Sequence, residues 1–332
     1  MTNGTVLGTP QEAENLLRDL YVNLRTSVHA WAKKTNQTPQ ARMGYVGQHL
    51  VSAVTGLPGG RSGARGKDLV LPNGEYAEIK TCYRVDQLGQ CLDCRAPVAS
   101  IEQVCANCNS SRIDRKDDSK WLIGIRDENE LASIVSPLSY YFVLFEFVDL
   151  SNPKEVRATI WKVKNDAPGL IFALVDYWLN IRSKSNSKAP LNIWPHRVKF
   201  LAMRPEMIYS AVIHSDDSIS TEVFAPNNPI AFKGFGSLVQ HSSSQNMRIV
   251  SANKLKNALS IGKSVAGQHK KQVLQDCDNY INHNQWSNDD IADLVAGAIY
   301  VDRIKDDFQN LPEPLRSKTR SAIRHCFGLG LT

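Results

Sequence analysis

Four cysteines constrain this chain more than any other feature. They stand as Cys91-Leu-Asp-Cys94, ten further residues, then Cys105-Ala-Asn-Cys108. A C-x-x-C turn presents two thiolates on one side of the backbone, and a pair of such turns can close a tetrahedral shell of four sulfurs. Zn²⁺ favours that shell, and because no coordination position stays open its role there is structural. The spacing predicts one Zn²⁺ held by Cys91, Cys94, Cys105 and Cys108, in a ribbon inserted at about residues 88–116. A redox-active pair is the alternative, but it does not account for two matched turns. Cys82, Cys277 and Cys326 bring the count to seven. An odd number, with no basic-then-apolar leader, argues against a disulfide framework and for a cytoplasmic chain. No apolar run reaches the ~18 residues of a membrane span.

Around the ribbon the hydropathy pattern changes period. Helical spacing of Leu16, Leu17, Leu20, Val22, Leu24, Val28 and Trp31 predicts a helix over Gln11–Lys34, started by Thr9 and Pro10. A second helix is expected over Ala41–Thr55, with Met43, Tyr45, Val46, Leu50, Val51 and Val54 on its apolar side. Leu57–Gly66 holds four Gly and a Pro and reads as a loop. Lys67–Leu71 and Tyr76–Cys82 then read as strands joined by a Pro72-Asn73-Gly74 turn. Further strands are expected at Trp121–Ile125, Tyr140–Val148, Arg157–Val163, Phe200–Met203, Ile208–Ile213 and Ile219–Phe224, with an apolar helix at Gly169–Ile181. From Ser251 onward the pattern is helical, broken at Gly262, Gly267 and Pro312/Pro314. The polar segment Val239–Asn246 is the expected boundary between a catalytic region over 1–240 and a helical region over 241–332 that binds DNA or dimerises. The order predicts an α/β (α+β) fold with a mixed sheet flanked by helices.

Chemistry concentrates at Asp68 and Glu78-Ile79-Lys80. On a strand Glu78 and Lys80 point the same way, and the hairpin returns Asp68 alongside them. Two converging carboxylates suit a divalent cation with a preference for hard oxygen ligands, namely Mg²⁺. Such an ion lowers the pKa of bound water and stabilises charge on a phosphoryl oxygen, while Lys80 can orient that water or balance charge. Phosphodiester hydrolysis is the reaction this trio fits. The bland alternative is a surface hairpin with a solvated ion pair. Immediately upstream, the basic glycine loop carries Arg61, Arg65 and Lys67. It lacks the Ser or Thr of a Walker A loop after Gly66-Lys67 and reads as a phosphate-contacting segment.

These residues resemble a known family. Asp68…Glu78-Ile79-Lys80, after helices and before mixed strands, looks like the PD-(D/E)XK nuclease superfamily. Within it, the run from Gln40-Ala-Arg-Met-Gly-Tyr-Val-Gly-Gln48 through Gly66-Lys-Asp68 to Glu78-Ile-Lys-Thr-Cys82 and the four Cys is most similar to type II restriction endonucleases of the MamI-like group. The resemblance implies Mg²⁺-dependent cleavage of double-stranded DNA at a defined site. It gives Asp68 and Glu78 to the metal and Lys80 to the attacking water. Gln48 stands where many relatives place a helical Glu, and Lys67 stands where the family name has Pro. A homodimer cutting a palindrome, and a cognate DNA methyltransferase as genetic partner, belong to the same expectation. A related repair or RNA-processing nuclease, or a non-catalytic zinc-ribbon DNA binder, are the competing readings.

Charge distribution adds a DNA-binding expectation. The net charge is +6, yet Val223–Gln275 contains seven basic residues and no acidic one, leaving the remainder with 32 basic and 33 acidic residues. Lys254, Lys256, Lys263, Lys270 and Lys271 in that stretch read as phosphate contacts. Arg112, Arg115 and Lys116, just after the ribbon, form a second candidate group. Tyr140, Tyr141, Phe142, Phe145 and Phe147 read as a core strand rather than a base-stacking platform.

Overall fold

A computed structural model describes residues 7–37, 39, 44–60, 67–83, 85, 87–116, 119–150, 152–186, 189–195, 197–231 and 287–328. The expected helix start at 41–43, Arg61 and Arg65, the boundary at 239–246, Lys254, Lys256, Lys263, Lys270, Lys271 and Cys277 lie outside the described residues.

Thr9 opens the first helix: its hydroxyl accepts the Glu12 N–H at 3.3 Å, and Pro10 occupies the first turn. Helix α1 (Pro10–Leu17) runs through a π-helical stretch, Arg18–Asn23, into α2 (Leu24–Thr35), which stops at Asn36 with φ 55°. A π turn takes up an extra residue and rotates everything after it about the axis. The apolar stripe therefore ends early. Trp31, expected to face inward, is 64% exposed, and Ala32 is buried instead. Helix α3 (Gly44–Thr55) buries Val46, Leu50, Val51 and Val54 as expected, but not Tyr45, which is 72% exposed.

The described residues of Met1–Trp121, Tyr140–Lys162 and Met207–Ile230 make one compact unit around a seven-stranded sheet. Strands β1 (Leu69–Val70), β2 (Tyr76–Tyr83), β3 (Ser139–Asp149), β4 (Asn152–Lys164), β5 (Glu206–Ile213) and β6 (Ile219–Phe224) lie side by side in that order, and β7 (Ile230–Ala231) pairs with β5. Leu17, Leu50 and Val54 pack with Ala77, Ile79, Val143, Phe145, Ala158 and Ile160 in one core. Phe145 stacks on Tyr21 and Tyr83, with ring centroids 5.1 and 4.8 Å away. On the other face of β3, Phe142 meets Trp121 at 5.0 Å, and the Trp121 indole donates to the Val143 carbonyl at 2.8 Å. Burial on both faces explains why this strand reads as an uninterrupted apolar run. At the far edge, Glu14 of α1 accepts from the Thr221 N–H and hydroxyl at 3.2 and 2.7 Å. A separate three-stranded sheet, with Gly89–Cys91 between Pro97–Val98 and Ile113–Asp114, carries Cys91 in its central strand, and Cys94, Cys105 and Cys108 lie in the connections between its strands.

A second unit comprises the described residues of Leu122–Ser139, Val163–Glu206 and Ala231–Thr332. It contains α4 (Glu128–Ile134), α5 (Pro168–Tyr177), α6 (Val198–Leu201), α7 (Asn288–Ile304) and α8 (Leu315–Gly328). All ten residues of α5 are buried, as its apolar sequence requires. Ser287 and Asp290 form a capping box at the start of α7, and the Pro312/Pro314 break separates it from α8. The expected strand at Phe200–Met203 is instead the end of α6 and a turn: the Phe200 and Leu201 N–H groups both bond the Arg197 carbonyl, at 2.8 and 3.0 Å. Four apolar residues are too few for periodicity to separate helix from strand. No described helix is long and apolar enough to cross a membrane.

Candidate functional site

Strand β2 alternates as its sequence dictates. Ala77 and Ile79 are buried, and Glu78 and Lys80 lie on the opposite, half-buried side. The hairpin is closed by Leu71 and Gly74: the Leu71 N–H bonds the Glu75 carbonyl and the Gly74 N–H bonds the Leu71 carbonyl, both at 2.9 Å. Leu69 pairs with Ala77 and Val70 with Tyr76, so Asp68, one residue earlier, stands level with Glu78. The Lys80 Nζ lies 2.5 Å from Glu78 Oε1. The three residues expected at one end of the sheet are thus brought together.

Asp68 is held at both oxygens. Its Oδ1 accepts from the Gln48 side-chain amide at 3.0 Å and its Oδ2 from the Ile79 backbone N–H at 2.9 Å. Gln48 reaches it because α3 lies very close on β2: a Cβ at Gly47 would come within 2.0 Å of Thr81 Oγ1. The Thr81 hydroxyl also donates to the Gly44 carbonyl at 3.3 Å. Upstream, Pro58–Gly60 runs antiparallel to Asp68–Val70, with the Val70 N–H bonded to the Pro58 carbonyl at 3.0 Å and the Gly60 N–H to the Asp68 carbonyl at 3.3 Å. Gly60 has no room for a side chain, since a Cβ there would lie 1.9 Å from the Lys67 carbonyl oxygen. Both ends of the basic glycine loop are therefore fixed beside Asp68. Lys67 Nζ sits 5.8 Å from the centroid of the Tyr76 ring.

Burial raises the Glu78 carboxyl above the usual carboxylate range; Lys80 counters it, and the Asp68 charge raises it further. Tyr140 of the neighbouring strand is buried under this cluster. Burial first, and then the charges of Glu78, Tyr76 and Asp68, push its phenol far up, so it stays neutral. The sequence signal for Tyr140 was only that of a core strand, and nothing in it announced a place beside the carboxylates.

The four expected metal ligands also converge. The sulfurs of Cys91, Cys94, Cys105 and Cys108 all lie within 4.8 Å of one another, and the group could hold a metal ion. Each C-x-x-C turn closes in the same way. The Arg95 N–H bonds the Cys91 carbonyl at 3.0 Å and the Asn109 N–H bonds the Cys105 carbonyl at 2.8 Å, with Arg95 and Asn109 both at positive φ, 63° and 57°. The Asn107 side chain and the Ala96 N–H favour the Cys94 thiolate and bring its pKa down to about 6. Cys108 moves the other way: the Ser110 backbone lowers it, but Cys94, burial and the other two sulfurs push it up to about 12, so the four thiols do not ionise together without a cation among them.

The basic residues after the ribbon have local duties. Arg112 pairs with Asp93 at 2.6 Å, and Asp93 also accepts from the Ser110 hydroxyl at 2.5 Å. The Arg115 guanidinium donates to the Ser100 and Glu102 carbonyls at 3.3 and 2.7 Å and is half-buried. Lys116 is exposed. Sequence spacing gave no sign of Asp93 or of these carbonyls as partners.

Neither curated proteins nor solved structures give a match to this chain. The MamI restriction endonuclease family matches residues 30–235, a segment that holds Gln48, Asp68, Glu78, Lys80 and all four clustered cysteines. That segment is well over half of the sequence, and the chain belongs to the MamI restriction endonuclease family.

Proposed function

We propose that the chain is a Mg²⁺-dependent type II restriction endonuclease that hydrolyses double-stranded DNA at a specific site. The observation that carries the reading is the convergence of Asp68, Glu78 and Lys80 on adjacent strands, with Lys80 Nζ 2.5 Å from Glu78. The donor set fits the ion: two carboxylates, one destabilised by burial and by the other's charge, supply hard oxygens that a divalent cation would relieve. Asp68 and Glu78 would hold Mg²⁺, which when bound supplies charge stabilisation and an acidified water. Lys80 holds a positive charge beside Glu78, where it can orient the attacking water and stabilise charge on the phosphoryl oxygen. Gln48 acts through Asp68, whose carboxylate it fixes. On this reading the sheet and its helices serve as a PD-(D/E)XK core, with the ribbon at about 88–116 inserted after the catalytic strand and binding one structural Zn²⁺. Lys67, next to Asp68, is assigned to phosphate contacts, as are Arg61 and Arg65 of the glycine loop, Lys116 and the lysines of the acid-free stretch.

A homodimer would supply one site per strand of a palindrome, with a DNA methyltransferase protecting the host's own sites. The test is incubation of plasmid with Mg²⁺ or with EDTA. Discrete fragments formed only with Mg²⁺ are expected. A smear or RNA-only cutting would favour a repair or RNA-processing nuclease, and a gel shift without cleavage would favour a non-catalytic DNA binder.

A further inference from the structure

We propose that Tyr45 is a substrate-contacting residue that packs its ring on a nucleotide flanking the scissile phosphate; this rests on the nuclease reading above. Tyr45 is 72% exposed on a helix whose Val46, Leu50, Val51 and Val54 are buried. It stands three residues before Gln48 and so shares its face. Together with Gly44, Gln48, Ile79, Lys80 and Thr81 it lines an open groove of about 510 Å³. No acidic side chain is among these residues, and the carboxylates beside them, Asp68 and Glu78, are the pair assigned to Mg²⁺. Lys80 lines the same groove, and Gln48, another of its lining residues, donates to Asp68 at 3.0 Å.

Single exposed aromatics are common and carry no message by themselves. What distinguishes this one is its mounting. The Thr81-to-Gly44 hydrogen bond of 3.3 Å and the close approach at Gly47 fix the first turn of α3 against the catalytic strand. An aromatic side chain on a fixed turn loses little freedom on contact and offers a flat surface to a base. Tyr45 and Lys80 share this groove, so a strand whose phosphate lies beside Lys80 has an aromatic face within the same opening for a neighbouring nucleotide.

The experiment compares wild type, Tyr45→Phe and Tyr45→Ala on plasmid with Mg²⁺, under single-turnover conditions, with melting temperature as control. Duplexes spanning the mapped cut, with an abasic analogue on either side of it, are then cut by wild type and by Tyr45→Ala. Tyr45→Ala is expected to cut roughly 10- to 100-fold more slowly at an unchanged melting temperature, with Tyr45→Phe close to wild type. One flanking abasic analogue should slow wild type by a similar factor and Tyr45→Ala hardly at all. Wild-type cutting by Tyr45→Ala, equal losses in Tyr45→Phe and Tyr45→Ala, or an abasic penalty unchanged in Tyr45→Ala would each overturn the proposal while leaving the nuclease reading intact. Failure of wild type to cut plasmid would instead overturn the nuclease reading itself.

Discussion

Gln48 Nε2 donates to Asp68 Oδ1 at 3.0 Å, tying the helix before the hairpin to the first carboxylate of the site. A neutral amide can hold Asp68 only as a donor, so its contribution is orientation rather than charge. Gln48→Ala should release that oxygen and weaken the hold on Asp68 by about 1.5–3 kcal/mol, the worth of a hydrogen bond to a charged group. Mg²⁺ titration of the cleavage rate should then show a higher half-saturating concentration and a smaller change in the rate at saturating Mg²⁺. Gln48→Glu adds a third carboxylate where a donor is needed. An equal or tighter Mg²⁺ dependence in that variant would show that the side chain serves the ion directly.

Lys80 provides the sharpest single test. Its Nζ sits beside Glu78, on the solvent-accessible side of a strand whose other side is core. Lys80→Ala removes a charged group without opening a core cavity, so the fold should stand. Cleavage should fall by at least about 10²–10³-fold, the scale for losing one transition-state charge partner. Binding to a fragment carrying the recognition site, followed by gel shift, should persist. An active Lys80→Ala protein would remove Lys80 from the mechanism.

The contact between α3 and β2 makes a steric prediction. At Gly47 the three atoms nearest an added Cβ all belong to the Thr81 side chain, at 2.0, 2.7 and 2.9 Å. Gly47→Ala should therefore destabilise the protein by about 1–3 kcal/mol through overpacking. Thr81→Ala removes the two nearest of those atoms, so the double variant should recover part of the loss. Denaturant melts of the two single variants and the double variant measure this coupling directly. Additive losses would mean that α3 does not sit this close to β2. Because Gln48 follows Gly47, the single Gly47→Ala variant should also lose cleavage activity.

The ribbon predicts a metal stoichiometry. Four sulfurs within 4.8 Å of one another would repel as thiolates unless a cation joined them. Elemental analysis of the purified protein should give about one zinc per chain. Cys94→Ser should lower that value and expose the remaining three thiols to alkylation. Reactive thiols in the untreated protein, with no bound metal, would defeat the assignment.

Much of the site was legible because the strand period carries it. Ala77 and Ile79 alternate with Glu78 and Lys80, and Pro72-Asn73-Gly74 requires a turn, so Asp68 had to return beside Glu78. The cysteine spacing was equally direct. Other features depend on contacts between segments distant in sequence, which no local pattern encodes. Trp31 was displaced from the core by a π turn several residues earlier. Arg112 and Arg115 read as candidate DNA contacts, and no local pattern showed that Asp93 and two carbonyls also hold them. Phe200–Met203 was too short for its period to be read.

The second unit contains a buried charge that should govern its stability. Asp293 is fully buried on α7; Arg204 grips both of its oxygens, through Nε at 2.7 Å and through a terminal nitrogen, and His325 of α8 lies 2.8 Å away. The carboxylate therefore links the turn after α6 to two helices. Removing one partner of a buried pair strands the other, at a cost of about 3–5 kcal/mol. Asp293→Ala should produce that loss, while Asp293→Asn, which keeps the shape and one acceptor, should lose less. His325→Ala should cost less than either, because His325 is about half exposed while the carboxylate keeps Arg204. Thermal melts of the three variants should rank in that order. If Asp293→Ala melts with the wild type, the Arg204–Asp293 pair does not hold this unit together.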